Sequence, residues 1–173
     1  MAPASRLRFE RLVGVDFTSA PRRAKPITAA HARREGGRVV IERIESLVDF
    51  PAFEALLARP GPRCGRFDFP FGMPAVVVRE LGWPQPWAAM VRHCAGISRA
   101  AIVRALGRGA HPLGLRLACD APDLAASLME DGTGDRLDAV LCAIQAAWCA
   151  GRPRSGLPAD VPACEGWIAT VPG

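Results

Sequence analysis

Four aspartates have the residue type and the spacing that could do chemistry in this sequence. Asp16 comes at the end of a short apolar run, and Asp68 is flanked by two phenylalanines. Asp135 and Asp138 stand three residues apart at the start of a long apolar stretch. Carboxylate oxygens are the ligands that Mg²⁺ prefers in proteins. If the fold brings these acids to one point, a divalent cation would relieve their mutual repulsion. The pattern therefore indicates metal-dependent chemistry.

The stretch from 134 to 148 predicts the helix that carries two of these acids. After its first turn it has almost no ionisable residue, and its apolar residues cover every face, which is typical of a helix buried inside a domain. At a spacing of three, Asp135 and Asp138 lie on the same face of the first turn. An alternative without chemistry is that Asp135 is the N-cap and Asp138 is a first-turn acid stabilised by the helix dipole.

Strands are predicted to end at the other two acids. The predicted elements of this half are a strand at 7–19 that contains Asp16, a hairpin at 27–34 and 38–44, a short helix at 49–57 and a strand that ends at Asp68. Three consecutive antiparallel strands therefore open the domain. An unpaired carboxylate among apolar neighbours is costly, so Asp68 needs a partner unless it lies in an exposed loop and caps a helix at 75–81.

The second half of the chain has weaker patterns outside the 134–148 helix. Segments 97–106 and 124–129 have the composition of helices, and 111–117 is expected to be extended or a loop. The stretch 165–171 is expected to form a closing strand. The sequence has no internal repeat.

Length and composition narrow the class of protein. One domain spanning 1–173 is expected from the length. No run of about 18 apolar residues and no signal-peptide pattern is present, so we expect a cytoplasmic protein without membrane contact. The formal net charge of +5 permits binding to nucleic acid, although arginine enrichment of this kind is also typical of a GC-rich genome. The six cysteines lack CxxC pairs and zinc-finger spacing, so reduced thiols are expected.

The order of these elements is the arrangement of a ribonuclease H-like domain. Aspartates stand at the end of the first strand, at the end of the fourth strand and at the start of the late buried helix. In such a domain acids from distant parts of the chain converge at one sheet edge, and two divalent ions about 3.5 to 4 Å apart can activate a water and stabilise the leaving oxygen of a phosphodiester. The predicted fold class is therefore α/β, an RNase H-like mixed sheet with three antiparallel strands and then parallel ones, flanked by helices.

Four motifs resemble those of the domain-of-unknown-function 429 family, bacterial RNase H-like proteins with a predicted nuclease activity. The motifs are GVDFT at 14–18, FDFPFGMP at 67–74, GDRLDA at 134–139 and EGWI at 165–168. The acidic positions of the family pattern fall on Asp16, on Asp68, and on Asp135 with Asp138. The resemblance implies a mixed sheet flanked by helices, divalent-metal chemistry with Mg²⁺ or Mn²⁺, and a nucleic-acid substrate.

One segment of that family pattern is not found in this sequence. It is a strand that ends in a glutamate followed by an aromatic residue and proline, between the Asp68 motif and the last helix. The region 92–99 looks like the junction at which the segment is absent. The fold is then expected to lack part of its central region. Whether a fifth strand forms and whether one metal ligand is lost stay open at this point.

Three functions remain open from the sequence. The first is a metal-dependent nuclease, with Asp16, Asp68 and Asp138 as metal ligands and Asp135 as a fourth ligand or a cap. Its phosphate contacts would include Arg22, Arg23, Arg33 and Arg34. The second is a catalytically degenerate relative that keeps the fold as a binding or interaction module. The third is a fragment of an actin-like phosphotransferase that uses Asp16 beside Thr18 and Ser19, although the chain lacks glycine-rich phosphate loops. The oligomeric state stays open.

Overall fold

The structure is a computed structural model that describes residues 11–61, 63–68, 82, 92, 96–111 and 113–156. Within these residues the chain forms five strands, four α-helices and a short 3₁₀ helix. The strands are β1 (Arg11–Asp16), β2 (Ile27–Glu35), β3 (Arg38–Leu47), β4 (Arg63–Asp68) and β5 (Arg116–Cys119). The α-helices are α1 (Phe50–Ala58), α2 (Arg99–Arg108), α3 (Pro122–Glu130) and α4 (Asp135–Ala150), and the 3₁₀ helix is Pro153–Gly156.

The five strands form one mixed sheet in the order β4-β1-β2-β3-β5. The first three strands are consecutive and antiparallel, as their hairpin patterns predict. At one edge β4 runs parallel to β1, and at the other edge β5 runs parallel to β3. The α/β class, with three antiparallel strands and then parallel ones, is therefore confirmed.

Alternation along β1 separates the two faces of the sheet. Leu12 belongs to the core beneath α4, whereas Val13 and Val15 belong to a second core beneath α1. Because successive side chains of a strand point to opposite faces, Gly14 and Asp16 share the α4 face with Leu12. The core on this face also takes side chains from α2 and α3. Helices thus cover both faces, which explains why β1 has a continuous apolar run.

The helix α4 is the central element of the larger core. Ten of its sixteen residues are buried, and it contacts β1, β2 and β4. Several of its buried residues are alanines, which let the helix axis approach the sheet closely. The predicted buried helix is therefore confirmed, and its Cys142 and Cys149 are free, buried thiols, as expected.

The remaining predictions on secondary structure have mixed outcomes. The short helix predicted at 49–57 is confirmed as α1, and Asp49 caps it, because its Oδ1 accepts a hydrogen bond from the Ala52 amide at 2.8 Å. The extended segment predicted at 111–117 overlaps the short strand β5. The helix predicted at 75–81 and the strand predicted at 165–171 lie outside the described residues. No helix in the described ranges has the length and apolarity needed to cross a membrane.

Candidate functional site

The first two predicted site residues lie side by side at one end of the sheet. Asp16 is the last residue of β1 and Asp68 is the last residue of β4. The two strands are parallel, and their register pairs Asp16 directly with Asp68. Paired residues of neighbouring strands project to the same face, so both carboxylates stand on the α4 side of the sheet. The strand ends alone therefore bring together two acids that are 52 positions apart in the chain.

The third acid is brought in by a close contact between α4 and β1 at Gly14. A Cβ atom at this position would lie 2.1 Å from the carbonyl oxygen of Ala139 and 2.1 Å from the amide nitrogen of Ala143. Only glycine therefore lets the backbone of α4 rest directly on the strand. Gly14 is two residues before Asp16 on the same face, and Ala139 directly follows Asp138. The contact thus places the first turn of α4 over the end of β1.

Asp16, Asp68 and Asp138 meet at this point as an acidic cluster. Each offers a carboxylate oxygen, and the three oxygens lie within 4.8 Å of one another. Asp135, in the same first turn of α4, lies outside this group of three. Its negative charge nevertheless acts on both Asp16 and Asp138. The structure therefore brings the three predicted metal ligands together and leaves Asp135 as a neighbour of the cluster.

The electrostatics of the acidic cluster disfavour three negative charges without a cation. Burial, followed by the charges of Asp135, Asp138 and Asp68, raises the pKa of Asp16 to about 7. Asp68 is exposed as a residue, but partial desolvation of its carboxyl group raises its pKa. Burial, together with neighbouring carboxylates, also raises the pKa of Asp138. A carboxyl group that titrates near neutral pH becomes fully ionised when a cation binds beside it. The cluster is therefore suited to binding a positive ion.

The donor atoms fit a hard divalent cation. Three oxygens no more than 4.8 Å apart leave a point that lies within about 2.8 Å of each of them. Mg²⁺ binds oxygen at about 2.0 to 2.1 Å and Ca²⁺ at about 2.3 to 2.6 Å, so shifts of less than about 1 Å would bring the side chains to ligand distance. Asp68 is exposed at the end of its strand, which gives its side chain room for such a shift.

The thiol of Cys142 does not join this donor set. Cys142 lies one helical turn after Asp138 and is buried. Burial, and then the charges of Asp68, Asp138 and Asp16, raise the pKa of this thiol to about 12. Cys142 also lies outside the group of residues whose ligand atoms lie within 4.8 Å of one another, so the donor set consists of oxygen atoms.

The loop before α4 contains a residue whose role the sequence analysis did not identify. The carboxylate of Asp131 accepts hydrogen bonds from the Thr133 amide (3.1 Å), the Thr133 hydroxyl (2.8 Å) and the Arg136 amide (2.9 Å). These bonds satisfy an amide of the first turn of α4, which a side chain at the N-cap would otherwise do. The sequence feature that could have indicated this role is the Asp-x-Thr spacing directly before the helix, which is typical of an Asx turn.

The alternative that Asp135 is the N-cap of this helix is wrong. The N-cap residue is Gly134, which has no side chain to cap the helix and has a φ of 92°. Glycine is favoured there because other residues rarely adopt this left-handed conformation. Asp135 is the first residue inside the helix. Its carboxylate is therefore not committed to capping.

Two of the arginines that were predicted to contact phosphate have structural roles instead. Arg33 and Arg34 lie near the end of β2 that pairs with the start of β1, at the opposite end of that strand from Asp16. Arg33 donates to both carboxylate oxygens of Asp120 at 2.7 and 2.9 Å. Arg34 donates to the carbonyl oxygen of Ala147 at 3.0 Å. Both guanidinium groups therefore link elements of the fold.

The other two arginines lie at the same end of the sheet as the acidic cluster. Arg22 and Arg23 are exposed in the turn that follows β1, together with Lys25. Two backbone hydrogen bonds between Arg22 and Lys25, of 2.9 and 3.1 Å, close this basic turn. The charge of Lys25 opposes the rise in the pKa of Asp16, so the turn interacts electrostatically with the cluster. Cationic side chains are therefore available beside the carboxylates.

No match to this chain was found among protein-family models, curated proteins or solved structures. The function is therefore inferred from the acidic cluster and its surroundings.

Proposed function

We propose that this protein is a divalent-metal-dependent nuclease with an RNase H-like fold, which hydrolyses phosphodiester bonds in nucleic acid. The observation that carries the proposal is the meeting of three carboxylates, from β1, β4 and α4, within 4.8 Å at one end of the sheet. Acids from three distant segments do not converge by local sequence preference. The fold has to be arranged to hold them together against their repulsion.

The sheet and the sequence motifs add support to this proposal. Three consecutive antiparallel strands followed by a strand parallel to the first agree with the arrangement expected for an RNase H-like domain. Three of the four motifs that resemble the domain-of-unknown-function 429 family contain the acids of the cluster. The meeting of Asp16, Asp68 and Asp138 in space adds a geometric observation to this resemblance.

The proposed roles follow from the positions of the side chains. Asp16, Asp68 and Asp138 would hold Mg²⁺ or Mn²⁺, and Asp135 adds negative charge beside them. When bound, such an ion polarises a phosphoryl oxygen and neutralises the charge that develops during hydrolysis. Arg22 is among the exposed cations of the basic turn that would bind the phosphate backbone. Binding through this turn would weaken steeply with increasing salt.

The proposal is tested by Mn²⁺ binding and by cleavage of labelled DNA and RNA. We expect Mn²⁺-dependent cleavage that EDTA abolishes, and a loss of at least about 100-fold in Asp16→Asn and Asp68→Asn, because each change removes a charged ligand. Asp123→Asn is the matched control, since Asp123 is an exposed acid on α3, outside the cluster. Equal cleavage by the wild type with and without EDTA would contradict the proposal.

A second candidate function is a binding module that holds a metal ion but does not catalyse hydrolysis. The observation that favours it is that, in the described part of the chain, the group that could hold an ion contains three aspartates and no glutamate. Mn²⁺ would then bind and raise the melting temperature without any cleavage. A phosphotransferase fragment would instead be stabilised by ATP, in proportion to the logarithm of its concentration.

A further inference from the structure

A guanidinium group from α2 reaches the loop that delivers two of the acids. Arg99 is the first residue of α2, and the preceding Ser98 caps this helix through a 3.2 Å hydrogen bond from the Ala101 amide to its side-chain oxygen. Nη2 of Arg99 donates to the carbonyl oxygen of Gly132 at 2.9 Å. The base of the arginine is therefore fixed by its helix, and its tip is bound to the loop before α4.

The same guanidinium lies against the residue at which the chain enters α4. A Cβ atom at Gly134 would lie 3.7 Å from Nη2 and 3.9 Å from Nε of Arg99. Gly134 has the left-handed conformation that turns the chain into the first helical turn. Asp131 holds this loop from within, by its bonds to Thr133 and Arg136. The loop is therefore held on two sides, by its own aspartate and by an arginine from another helix.

The charge of Arg99 also acts on the acidic cluster, although Arg99 forms no direct ion pair with a carboxylate among the described residues. Burial and the charges of Asp68 and Asp135 raise the pKa of Asp138, and the charge of Arg99 opposes this rise. Among the described residues, Arg99 forms no ion pair within 4 Å of a carboxylate. A cation beside a metal site repels the metal ion. A contribution of Arg99 to metal binding must therefore come from geometry and outweigh this repulsion.

We propose that Arg99 is a positioning residue, which fixes the loop 131–134 and thereby holds Asp138 at the distance from Asp16 and Asp68 that a divalent ion requires. The inference rests on the proposed metal site. Side chains that hold metal ligands in place typically contribute 10- to 100-fold to metal affinity. Loss of the Arg99 contact therefore weakens Mn²⁺ binding although it removes a repelling charge.

Three variants separate geometry from charge. Arg99→Gln removes the charge and is too short to reach the Gly132 carbonyl, and Arg99→Lys keeps the charge but loses the planar guanidinium. Arg104→Gln is the matched control, because Arg104 is an exposed arginine of the same helix. Two measurements are made on the wild type and on each variant. They are the Kd for Mn²⁺ by calorimetric titration, and amide hydrogen exchange at Arg136 and Asp138 without metal.

We expect Arg99→Gln to raise the Mn²⁺ Kd about tenfold and to speed exchange at both amides, Arg99→Lys to do the same to a smaller extent, and Arg104→Gln to match the wild type. Unchanged exchange in Arg99→Gln overturns the inference. So does faster exchange with an unchanged or lower Kd, which would indicate a purely structural or electrostatic role. Failure of the wild type to bind Mn²⁺ overturns the metal site itself, whereas the exchange measurement still decides whether Arg99 holds the loop.

Discussion

The two faces of the sheet each carry a group of charged side chains, and the two groups differ in whether basic partners balance their acids. On the α4 face, the described part of the chain places no basic side chain within 4 Å of the acidic cluster. On the α1 face, Glu45 accepts hydrogen bonds from Arg59 at 2.5 and 2.7 Å and from His31 at 2.7 Å. We call this second group the balanced cluster.

The pKa values of the acids in the two clusters are shifted in opposite directions, because only one cluster has basic partners. Hydrogen bonds from Arg59 lower the pKa of Glu45 to about 2 and outweigh the opposite effect of burial. A further hydrogen bond from His31 acts in the same direction. Burial and like charges raise the pKa of Asp16 to about 7. A carboxylate with its partners in place stabilises the fold, whereas carboxylates held together without partners reduce stability and retain the capacity to bind a cation. The comparison therefore separates a structural cluster from a candidate site.

The largest expected effect comes from the glycine that supports only one of the two clusters. Gly14→Ala puts a methyl group 2.1 Å from backbone atoms of α4, and backbone cannot move aside as a flexible side chain can. We expect the free energy of unfolding to fall by more than about 3 kcal/mol, measured by urea unfolding, and Mn²⁺ binding to be lost. The balanced cluster lies on the other face and should keep its geometry in any folded fraction.

The matched control for this change is Gly37→Ala. A Cβ atom at Gly37 has no neighbour within 4 Å, and the residue is not in the left-handed region. We expect a change of less than about 0.5 kcal/mol, as for other surface substitutions. If Gly14→Ala were equally mild, α4 would not rest directly on β1 at Gly14, and this contact would not be what positions Asp138.

A smaller effect is expected from the balanced cluster. Glu45→Gln keeps the shape of the side chain but leaves Arg59 and His31 beside a neutral amide. Because the cluster is partly exposed, we expect a loss of about 1 to 2 kcal/mol at pH 7. The folded-state pKa of Glu45 is lowered, so its contribution is present above about pH 4.5 and is lost as the pH falls towards 2. Urea unfolding at several pH values should therefore show the wild type and the variant converging in acid.

Glu42→Gln is the control for the balanced cluster. Glu42 makes one 3.3 Å contact with Arg33 in an exposed ion pair, which contributes little to stability. We expect little change in the free energy of unfolding at pH 7. If Glu42→Gln lost as much stability as Glu45→Gln, the greater exposure of the Arg33–Glu42 ion pair would not explain a difference from the Arg59–Glu45 pair.

The elements that position the acids were largely predictable because their signals are local. Asp16 and Asp68 each follow a strand-forming run, and α4 is apolar beyond its first turn. These patterns depend on residues within one element, so periodicity and chain-breaking residues are sufficient to find them. The convergence of the three acids was a hypothesis from their order along the chain. The structure places them together, within 4.8 Å.

The details that distinguish the two clusters depend on residues far apart in sequence. No local sequence pattern indicates that Arg59 binds Glu45 or that Arg33 binds Asp120. The contact of Gly14 with α4 has no local signal either. Strand register and helix docking decide these contacts, and both arise from packing of the whole domain. Local sequence patterns therefore could not reveal that the guanidinium of Arg33, a predicted phosphate contact, is already bound to Asp120 within the fold.

The smallest predicted effect has the opposite sign to that of Glu45→Gln. The folded-state pKa of Asp16 is raised from its ordinary value of 3.8 to about 7. The native protein therefore retains a proton between about pH 4 and 7 that the unfolded chain releases, and the metal-free protein loses stability as the pH rises through this range. Asp16→Asn removes that loss. We expect the variant to equal the wild type near pH 4 and to exceed it at pH 8 by about 1 kcal/mol, a rise in Tm of roughly 2 to 4 °C, after allowance for the partial exposure of the carboxyl group.

Mn²⁺ should reverse the sign of this difference. At a concentration of 100 times its Kd, a ligand that binds only the folded state stabilises it by about 2.7 kcal/mol. The wild type would gain this stabilisation and Asp16→Asn would not, so the wild type would become the more stable protein. Thermal unfolding at pH 8 with Mn²⁺ and with EDTA measures both differences in one series, with Asp123→Asn as the control for the loss of a negative charge. If Asp16→Asn were less stable than the wild type without metal, a partner within the protein would already balance Asp16, and the contrast between the two clusters would fail.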